Sequence, residues 1–295
     1  LQCSPDHPWV SEHPDWFSQR ADGSIAYAEN PPKKYQDIYP LNFDRDPEGI
    51  YTAIRDMLEL WISHGVKIFR VDNPHTKPVP FWLRLLEELH TRYPDVIFLA
   101  EAFTRPAMMR TLGAVGFDQS YTYFAWRTEK QEIEDYLQEL AHDTAHLIRP
   151  TFWPTTHDIL TSQMTSGGSA IFAIRAMLAA LGAPSWGIYS GYEWVENIQR
   201  EGAEEPNDNE KYEFRPRDPK LAQETGIPTL LTLLNSARER HPALRQLHDL
   251  RIHPTTSEKI LCFSKHVPAR FSPTGLPDTA VSYTHLRAHE TGRNL

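Results

Sequence analysis

Three acidic residues stand at or just after the ends of predicted β-strands, where a carboxylate could take part in chemistry. Asp72 ends the first predicted strand, Glu101 ends the second, which is an apolar run, and Asp158 follows the fourth. Retaining glycosyl transfer needs two carboxylates that converge across a cleft. One attacks the anomeric carbon, and the other donates a proton and later removes one. Ordinary salt bridges at the end of a sheet are the alternative explanation for such acids.

An arginine accompanies the first of these acids. Arg70 lies two residues before Asp72, so both side chains point to the same face of the predicted strand. A fixed cation there would keep Asp72 ionised at neutral pH, as a nucleophile must be. Other catalytic templates do not fit, because the sequence has neither a GxSxG serine motif nor an HExxH zinc motif.

The elements that must position these acids alternate between strands and helices. Strands are predicted at about 66–72, 96–101, 117–124, 150–155 and 184–189. Helices are predicted from Pro47 to a stop at Gly65, and at about 81–92, 106–112, 128–147, 169–181 and 229–239. A further strand is predicted at 260–264, and it begins a separate part of the fold.

This alternation predicts an α/β fold with a parallel sheet. In a closed (β/α)8 barrel the carboxyl ends of the strands face the active site, which would gather the acids at one end. Such a barrel needs eight strands and about 250 residues, and five strands are visible here, so we expect an incomplete barrel. A doubly wound sheet is the alternative, but neither a GxGxxG motif nor a P-loop supports it.

Composition narrows the function classes. The chain has 295 residues, of which 40% are hydrophobic and 23% charged, as is usual for a globular protein. Its net charge of −9 argues against nucleic acid as a partner, and no apolar run is long enough to span a membrane. Two cysteines, Cys3 and Cys262, are too few for a disulfide framework or a zinc site. They favour a reducing compartment, so we expect a cytoplasmic protein.

Short motifs around the three acids resemble those of the α-amylase superfamily, in the same order: Arg70-Val-Asp-Asn73, Ala100-Glu-Ala102 and His157-Asp158. Longer motifs, over about residues 1–265, resemble the maltosyltransferases that use maltose-1-phosphate to extend α-1,4-glucans. They are Gln2-Cys-Ser-Pro-Asp-His-Pro-Trp9, Ala28-Glu-Asn-Pro-Pro-Lys-Lys-Tyr-Gln-Asp37, Phe69-Arg-Val-Asp-Asn-Pro-His-Thr-Lys-Pro78, Leu99-Ala-Glu-Ala-Phe-Thr-Arg-Pro106 and Tyr189-Ser-Gly-Tyr-Glu193.

The resemblance implies a role for each catalytic candidate. Asp72 matches the nucleophile, Glu101 the general acid/base and Asp158 the residue that stabilises the transition state. Arg70 matches the arginine that orients the nucleophile.

The resemblance also implies a set of substrate-binding residues. The donor-phosphate pocket matches Asn30, Lys33, Tyr35 and Asn73. The family residues that contact sugar correspond here to Gln2, His157, Lys211 and Tyr212.

The pair Lys33-Lys34 fits a phosphate donor on chemical grounds as well. A phosphate group carries about two negative charges at neutral pH, and close to the Asp72 carboxylate that charge must be offset by cations and amide donors. A solvated pair of lysines on a loop is the alternative explanation for this dipeptide.

Together these features predict a retaining glycosyltransferase. It would move a maltosyl unit from α-maltose-1-phosphate to the non-reducing end of an α-1,4-glucan, through a covalent intermediate on Asp72. An α-amylase-type hydrolase or transglycosylase is one alternative, and a non-catalytic glucan-binding protein is another. No metal or organic cofactor is implied, and the resemblance implies a homodimer for the full-length protein.

Four segments are predicted along the chain. Residues 1–43 form a loop region after the third barrel strand, and residues 44–248 form the catalytic barrel from its fourth to its eighth strand. Residues 249–280 begin a C-terminal β-sandwich domain that is cut short. Residues 281–295 resemble the translation of a sequencing adapter, so they are left out of the fold prediction; a genuine polar tail is the alternative.

Overall fold

The computed structural model describes residues 1–30, 33–207, 209 and 214–286; of Asn30 and Lys33 it describes the backbone only. The chain divides into two compact units, Leu1–Asp118 and Gln119–Leu295. The predicted segment boundaries at 43/44 and 248/249 remain predictions.

The first unit contains six strands and four helices among its described residues. The strands are β1 Gln2–Cys3, β2 Ala28–Asn30, β3 Lys33–Tyr35, β4 Tyr39–Pro40, β5 Ile68–Asp72 and β6 Ile97–Glu101. The helices are α1 Pro8–Glu12, α2 Pro47–Ser63, α3 Val79–Arg92 and α4 Pro106–Ala114. The pairs β1–β4 and β2–β3 are antiparallel, whereas β5 and β6 are parallel.

Helix α2 begins where the sequence predicts. The Asp46 carboxylate accepts a hydrogen bond from the backbone N–H of Gly49 at 2.9 Å, which caps the first turn. A Cβ atom on Gly49 would lie 2.0 Å from that carboxylate, so a larger residue at this position would require the Asp46 side chain to shift. The apolar side of α2, with Ile50 and Ile54, is buried in a core that includes Leu85 of α3 and Phe98 of β6.

The second unit contains six strands and five helices among its described residues. The strands are β7 Gln119–Tyr121, β8 Pro150–Phe152, β9 Ser185–Trp186, β10 Leu250–Ile252, β11 Ile260–Val267 and β12 Asp278–His285. The helices are α5 Lys130–Gln138, α6 Ser162–Ser166, α7 Gly168–Gly182, α8 Pro219–Glu224 and α9 Ile227–Arg240. Strand β8 pairs in parallel with both β7 and β9, and β10–β11–β12 form an antiparallel sheet.

Helix α7 forms the centre of the second core, as its strongly apolar sequence predicts. Phe172 and Ala176 are fully buried. Arg175 is buried among them, and its guanidinium donates to the backbone oxygens of Phe124 at 2.6 Å and Arg127 at 2.7 Å. Burial lowers the pKa of Arg175 to about 10. The two carbonyl acceptors compensate for the buried charge.

The alternation of parallel strands with helices is confirmed in both units, and several predicted boundaries change. The predicted helix 128–147 is shorter, since α5 ends at Gln138 and continues as a π-helical turn over Glu139–Asp143. The predicted strand 117–124 is reduced to β7, because a 3-10 turn takes over at Tyr123–Trp126. The ends of α5 and β7 are set by the geometry of backbone hydrogen bonds. The spacing of apolar residues in the sequence carries no information about that geometry.

The structure places part of the segment that resembles an adapter in a strand. Residues 281–285 belong to β12, which pairs with β11 over its whole length. Ser282 and Thr284 are buried while Val281 and Tyr283 are exposed, which is the alternation of a strand with one covered face. Residues 287–295 lie outside the described part of the chain.

Candidate active site

Asp72 and Glu101 lie at one edge of the first unit because two parallel strands end there. They are the last residues of β5 and β6, and they are direct partners in the strand register. The side chain of Glu101 is 8% exposed and that of Asp72 is 45% exposed. One carboxylate is therefore open to a ligand, and the other is enclosed beside it.

Arg70 holds both carboxylates. Its Nη2 atom lies 3.5 Å from Oδ1 of Asp72 and 3.4 Å from Oε1 of Glu101, so these two oxygens are within about 7 Å of each other. Retaining glycosidases keep their two carboxyl groups about 5–5.5 Å apart, whereas inverting enzymes need roughly 6.5–9.5 Å. The limit set by Arg70 includes the retaining separation and excludes most of the inverting range.

Asn73 adds hydrogen bonds to the same two carboxylates. Its backbone is left-handed, with φ 45° and ψ 50°, a conformation that Asn tolerates better than most residues. In this conformation its N–H lies 3.2 Å from Oε2 of Glu101, and its side-chain amide donates to Oδ2 of Asp72 at 3.2 Å. The resemblance assigned Asn73 to the donor phosphate, and the structure shows it in contact with the nucleophile candidate.

The turn after Asn73 is fixed by two further hydrogen bonds. The Thr76 hydroxyl donates to the backbone oxygen of Asn73 at 2.8 Å. The indole N–H of Trp82, a buried residue of α3, donates to the backbone oxygen of Pro74 at 2.8 Å. Together with the bond from the Asn73 N–H to the backbone oxygen of Glu101 at 3.0 Å, these bonds hold the left-handed residue in place.

Lys77 is a cation near the site that the sequence analysis did not assign. It lies within the motif 69–78 but is buried, with 8% of its surface exposed. Burial lowers the pKa of its ammonium group to about 8, and the charge of Asp72 opposes that shift. Burial of a lysine depends on tertiary packing, so only its position five residues after Asp72 could have drawn attention to it.

A cavity of about 460 Å³ adjoins Arg70 and Asp72. Its other walls are mostly apolar and come from α2, β5 and neighbouring residues, among them Ile54, Trp61 and Phe69. A sugar site needs polar groups that converge on hydroxyls, so we assign no ligand to this cavity.

The second unit carries Asp158 and His157 on a tight turn. Thr156 and Ile159 form an antiparallel bridge, and His157 and Asp158 lie between them. The backbone N–H of Asp158 donates to the Thr156 hydroxyl at 3.1 Å, and its carboxylate pairs with Nε2 of His157 at 2.9 Å. The structure therefore brings these two predicted site residues together within their own unit.

The remaining candidates are placed as follows. Gln2 is exposed at the start of β1, and Tyr35 is half-buried at the end of β3. Asn30 and Lys33 are register partners in the β2–β3 hairpin, and their side chains lie outside the described part of the structure. Lys211 and Tyr212 also lie outside the described residues. Among the residues described, no group of three or more His, Cys, Asp or Glu could hold a metal ion.

Sequence relatives decide the family. The chain is 62% identical over 286 residues to an "Alpha-1,4-glucan:maltose-1-phosphate maltosyltransferase" from Arcanobacterium haemolyticum, covering 97% of this chain and 41% of that protein. A protein of the same name from Bifidobacterium animalis subsp. lactis is 54% identical over 286 residues, with 97% and 39% covered. The chain belongs to the α-1,4-glucan:maltose-1-phosphate maltosyltransferase family. It spans about two fifths of the length of these relatives, and no protein-family model matches it.

Solved structures give the fold. The chain superposes on an α-amylase from Lactobacillus plantarum with a TM-score of 0.63 at 21% identity, covering 91% of this chain and 64% of that one. The predicted incomplete (β/α)8 barrel is confirmed, with β10–β12 as the strands of the C-terminal β domain. None of the described helices of this maltosyltransferase-family chain is long and apolar enough to cross a membrane.

Proposed function

We propose that this chain carries the catalytic centre of a retaining maltosyltransferase. The donor is α-maltose-1-phosphate, the acceptor is the non-reducing end of an α-1,4-glucan, and inorganic phosphate is released. The observation that carries the proposal is the contact of one Arg70 nitrogen with both Asp72 and Glu101, at the ends of adjacent strands. The name shared by relatives of up to 62% identity supports the choice of substrates.

The two carboxylates take different roles in double displacement. In the first step an oxygen of Asp72 bonds to the anomeric carbon, while the bond from that carbon to the phosphate oxygen breaks. Glu101 protonates the departing phosphate, which leaves with the bonding electrons. Arg70 and the Asn73 amide hold the Asp72 carboxylate in position, because both donate toward it.

In the second step the roles reverse. Glu101, now ionised, removes the proton from the acceptor hydroxyl, and the resulting oxygen bonds to the anomeric carbon as the bond to Asp72 breaks. The enclosed position of Glu101 next to the N–H of Asn73 supports this role, since the acid/base group must stay within reach of both oxygens. The configuration at the anomeric carbon is retained, because it is inverted twice.

A phosphorylated donor brings negative charge close to Asp72, so cations and amides must surround it. We assign the phosphate to Asn30, Lys33, Tyr35 and Asn73, supported by the register pairing of Asn30 with Lys33 and by the amide of Asn73 near Asp72. The buried Lys77 ammonium adds positive charge to the same region.

The donor sugar is assigned to Gln2, His157, Lys211 and Tyr212, and the stabilising carboxylate to Asp158. The His157–Asp158 pair supports this assignment, because a neighbouring imidazole restricts the orientation of the carboxylate. The covalent intermediate on Asp72, a cytoplasmic location and a homodimeric full-length protein remain predictions from the sequence analysis.

The test uses a full-length chimera, in which this chain replaces the segment of the Arcanobacterium haemolyticum relative that it matches. The chimera is incubated with maltose-1-phosphate and a short maltooligosaccharide, with the relative itself as the positive control. The proposal predicts phosphate release and products that grow by two glucose units at a time. Release of reducing sugar from an α-glucan, without use of the phosphate donor, would indicate the hydrolase alternative. Glucan binding without either reaction would indicate a binding protein.

A further inference from the structure

The segment that carries Asp158 is attached to a small hairpin formed by residues 198–207 of the same unit. The hairpin is regular: the N–H of Asn207 donates to the oxygen of Ile198 at 2.9 Å, and Arg200 pairs with Glu205 at 3.0 Å. Gln199 and Pro206 form an antiparallel bridge inside it.

Both backbone polar groups of Leu160 are bound by this hairpin. The N–H of Leu160 donates to the backbone oxygen of Glu204 at 2.6 Å, and the oxygen of Leu160 accepts from the side-chain amide of Gln199. Leu160 is 1% exposed and lies two residues after Asp158. Two hydrogen bonds therefore fix the end of the Asp158 turn, and their partners lie more than thirty residues further along the chain.

A third bond fixes the hairpin itself. The indole N–H of Trp126, in the turn that follows β7, donates to the Glu204 carboxylate at 2.9 Å. Glu204 is thus bound at two points: its side chain by Trp126 and its backbone oxygen by Leu160. The chain of contacts from Trp126 through Glu204 to Leu160 joins three separate segments of the second unit around the turn.

We infer that the hairpin 198–207 positions the Asp158 carboxylate for transfer, with Gln199 as a positioning residue. The inference rests on the proposed role of Asp158 in the maltosyl transfer. The His157 imidazole restricts the carboxylate directly, and the hairpin fixes the backbone that follows it through Leu160. This backbone must be held, because displacement of a catalytic group by about 1 Å can cost two orders of magnitude in rate.

The test is a double-mutant cycle in the full-length chimera. Replacement Gln199→Ala removes the amide that binds Leu160, and Asp158→Asn removes the charge that is to be positioned. With maltosyl fluoride as a reactive donor, we expect Gln199→Ala alone to lower kcat by about tenfold or more, with KM changed by less than about threefold. In the Asp158→Asn background the same replacement should have little further effect, because it acts through that carboxylate.

Two controls complete the experiment. Glu201→Gln alters an exposed residue at the tip of the same hairpin and should leave kcat unchanged. Glu204→Gln keeps an acceptor for the Trp126 indole and should retain most of the activity, whereas Glu204→Ala should not. The melting temperature of each variant shows whether the fold is intact.

The outcomes separate the inference from the proposed function. If Asp158→Asn does not slow transfer, the proposed role of Asp158 fails and the inference fails with it. If Asp158→Asn slows transfer but Gln199→Ala does not, the proposed function stands and the inference is overturned. An equal loss from Gln199→Ala in both backgrounds would make the hairpin a structural element only, and this too would overturn the inference.

Discussion

Asp72 and Glu101 are direct partners in the parallel register of β5 and β6, and each is the last residue of its strand. Backbone pairing therefore places the two carboxylates side by side before any side chain is considered. In the proposed mechanism the more exposed Asp72 attacks the donor, and the enclosed Glu101 exchanges a proton. Arg70 lies two residues before Asp72 in β5, and it contacts both carboxylates.

Asn73 should contribute to catalysis through its amide and to stability through its backbone. We expect Asn73→Gly to lower kcat by about tenfold or more, since a hydrogen bond to the charged Asp72 is lost, with little change in melting temperature. Asn73→Ala should lose the same activity and also about 1–2 kcal/mol of stability, because alanine resists the left-handed backbone.

Kinetics and thermal melts of the two Asn73 variants in the full-length chimera check this prediction. Equal melting temperatures for the glycine and alanine variants would show that the left-handed backbone costs nothing at this position. An unchanged kcat in both would remove the amide from the mechanism.

Lys33 should distinguish a phosphorylated donor from a neutral one. Replacement by alanine is expected to lower kcat/KM for maltose-1-phosphate by about ten- to hundredfold, as for a lost hydrogen bond to a charged group. Maltosyl fluoride lacks the phosphate and should be affected much less. Lys34→Ala, at the exposed neighbouring position, serves as the matched control and should affect neither donor strongly. Similar losses with both donors would assign Lys33 to sugar binding or to structure.

Lys265 should make stability depend on pH. It is fully buried in β11, and burial, with a smaller contribution from Arg238, lowers its pKa to about 7 from an ordinary value of 10.5. Between these two values the unfolded chain binds more protons than the folded one, so stability rises with pH over that window. Lys265→Met removes this dependence and should raise the melting temperature most at or below pH 7.

The check is the difference in melting temperature between Lys265→Met and the parent chimera at pH 6.5 and at pH 9. The difference should shrink at the higher pH, where the buried amine is already neutral in the parent. Lys259→Met, at an exposed position, should show no such trend. A difference for Lys265→Met that stays constant with pH would contradict the lowered pKa.

Much of the fold and the central part of the site could be predicted from the sequence, for a simple physical reason. An acid that ends a predicted strand stands out in the sequence, as Asp72 and Glu101 do. The apolar helix α7 and the capped start of α2 at Asp46 are local in the same sense.

Features that depend on distant partners could not be predicted. The π-helical end of α5, the pairing of residues 281–285 with β11 and the burial of Lys77 all arise from tertiary packing. The hairpin 198–207 meets Leu160 through hydrogen bonds between segments about forty residues apart, and no spacing pattern in the sequence encodes such contacts.

The covalent intermediate is the most direct test of the whole account. In the full-length chimera, Glu101→Gln removes the base needed for the second step, while maltosyl fluoride still allows the first step without an acid. Intact-mass measurement should then show the protein gaining one maltosyl unit, and peptide mapping should place it on Asp72. The double replacement Asp72→Asn with Glu101→Gln should gain nothing. An adduct on another residue, or none at all while an inverted product accumulates, would contradict retaining transfer through Asp72.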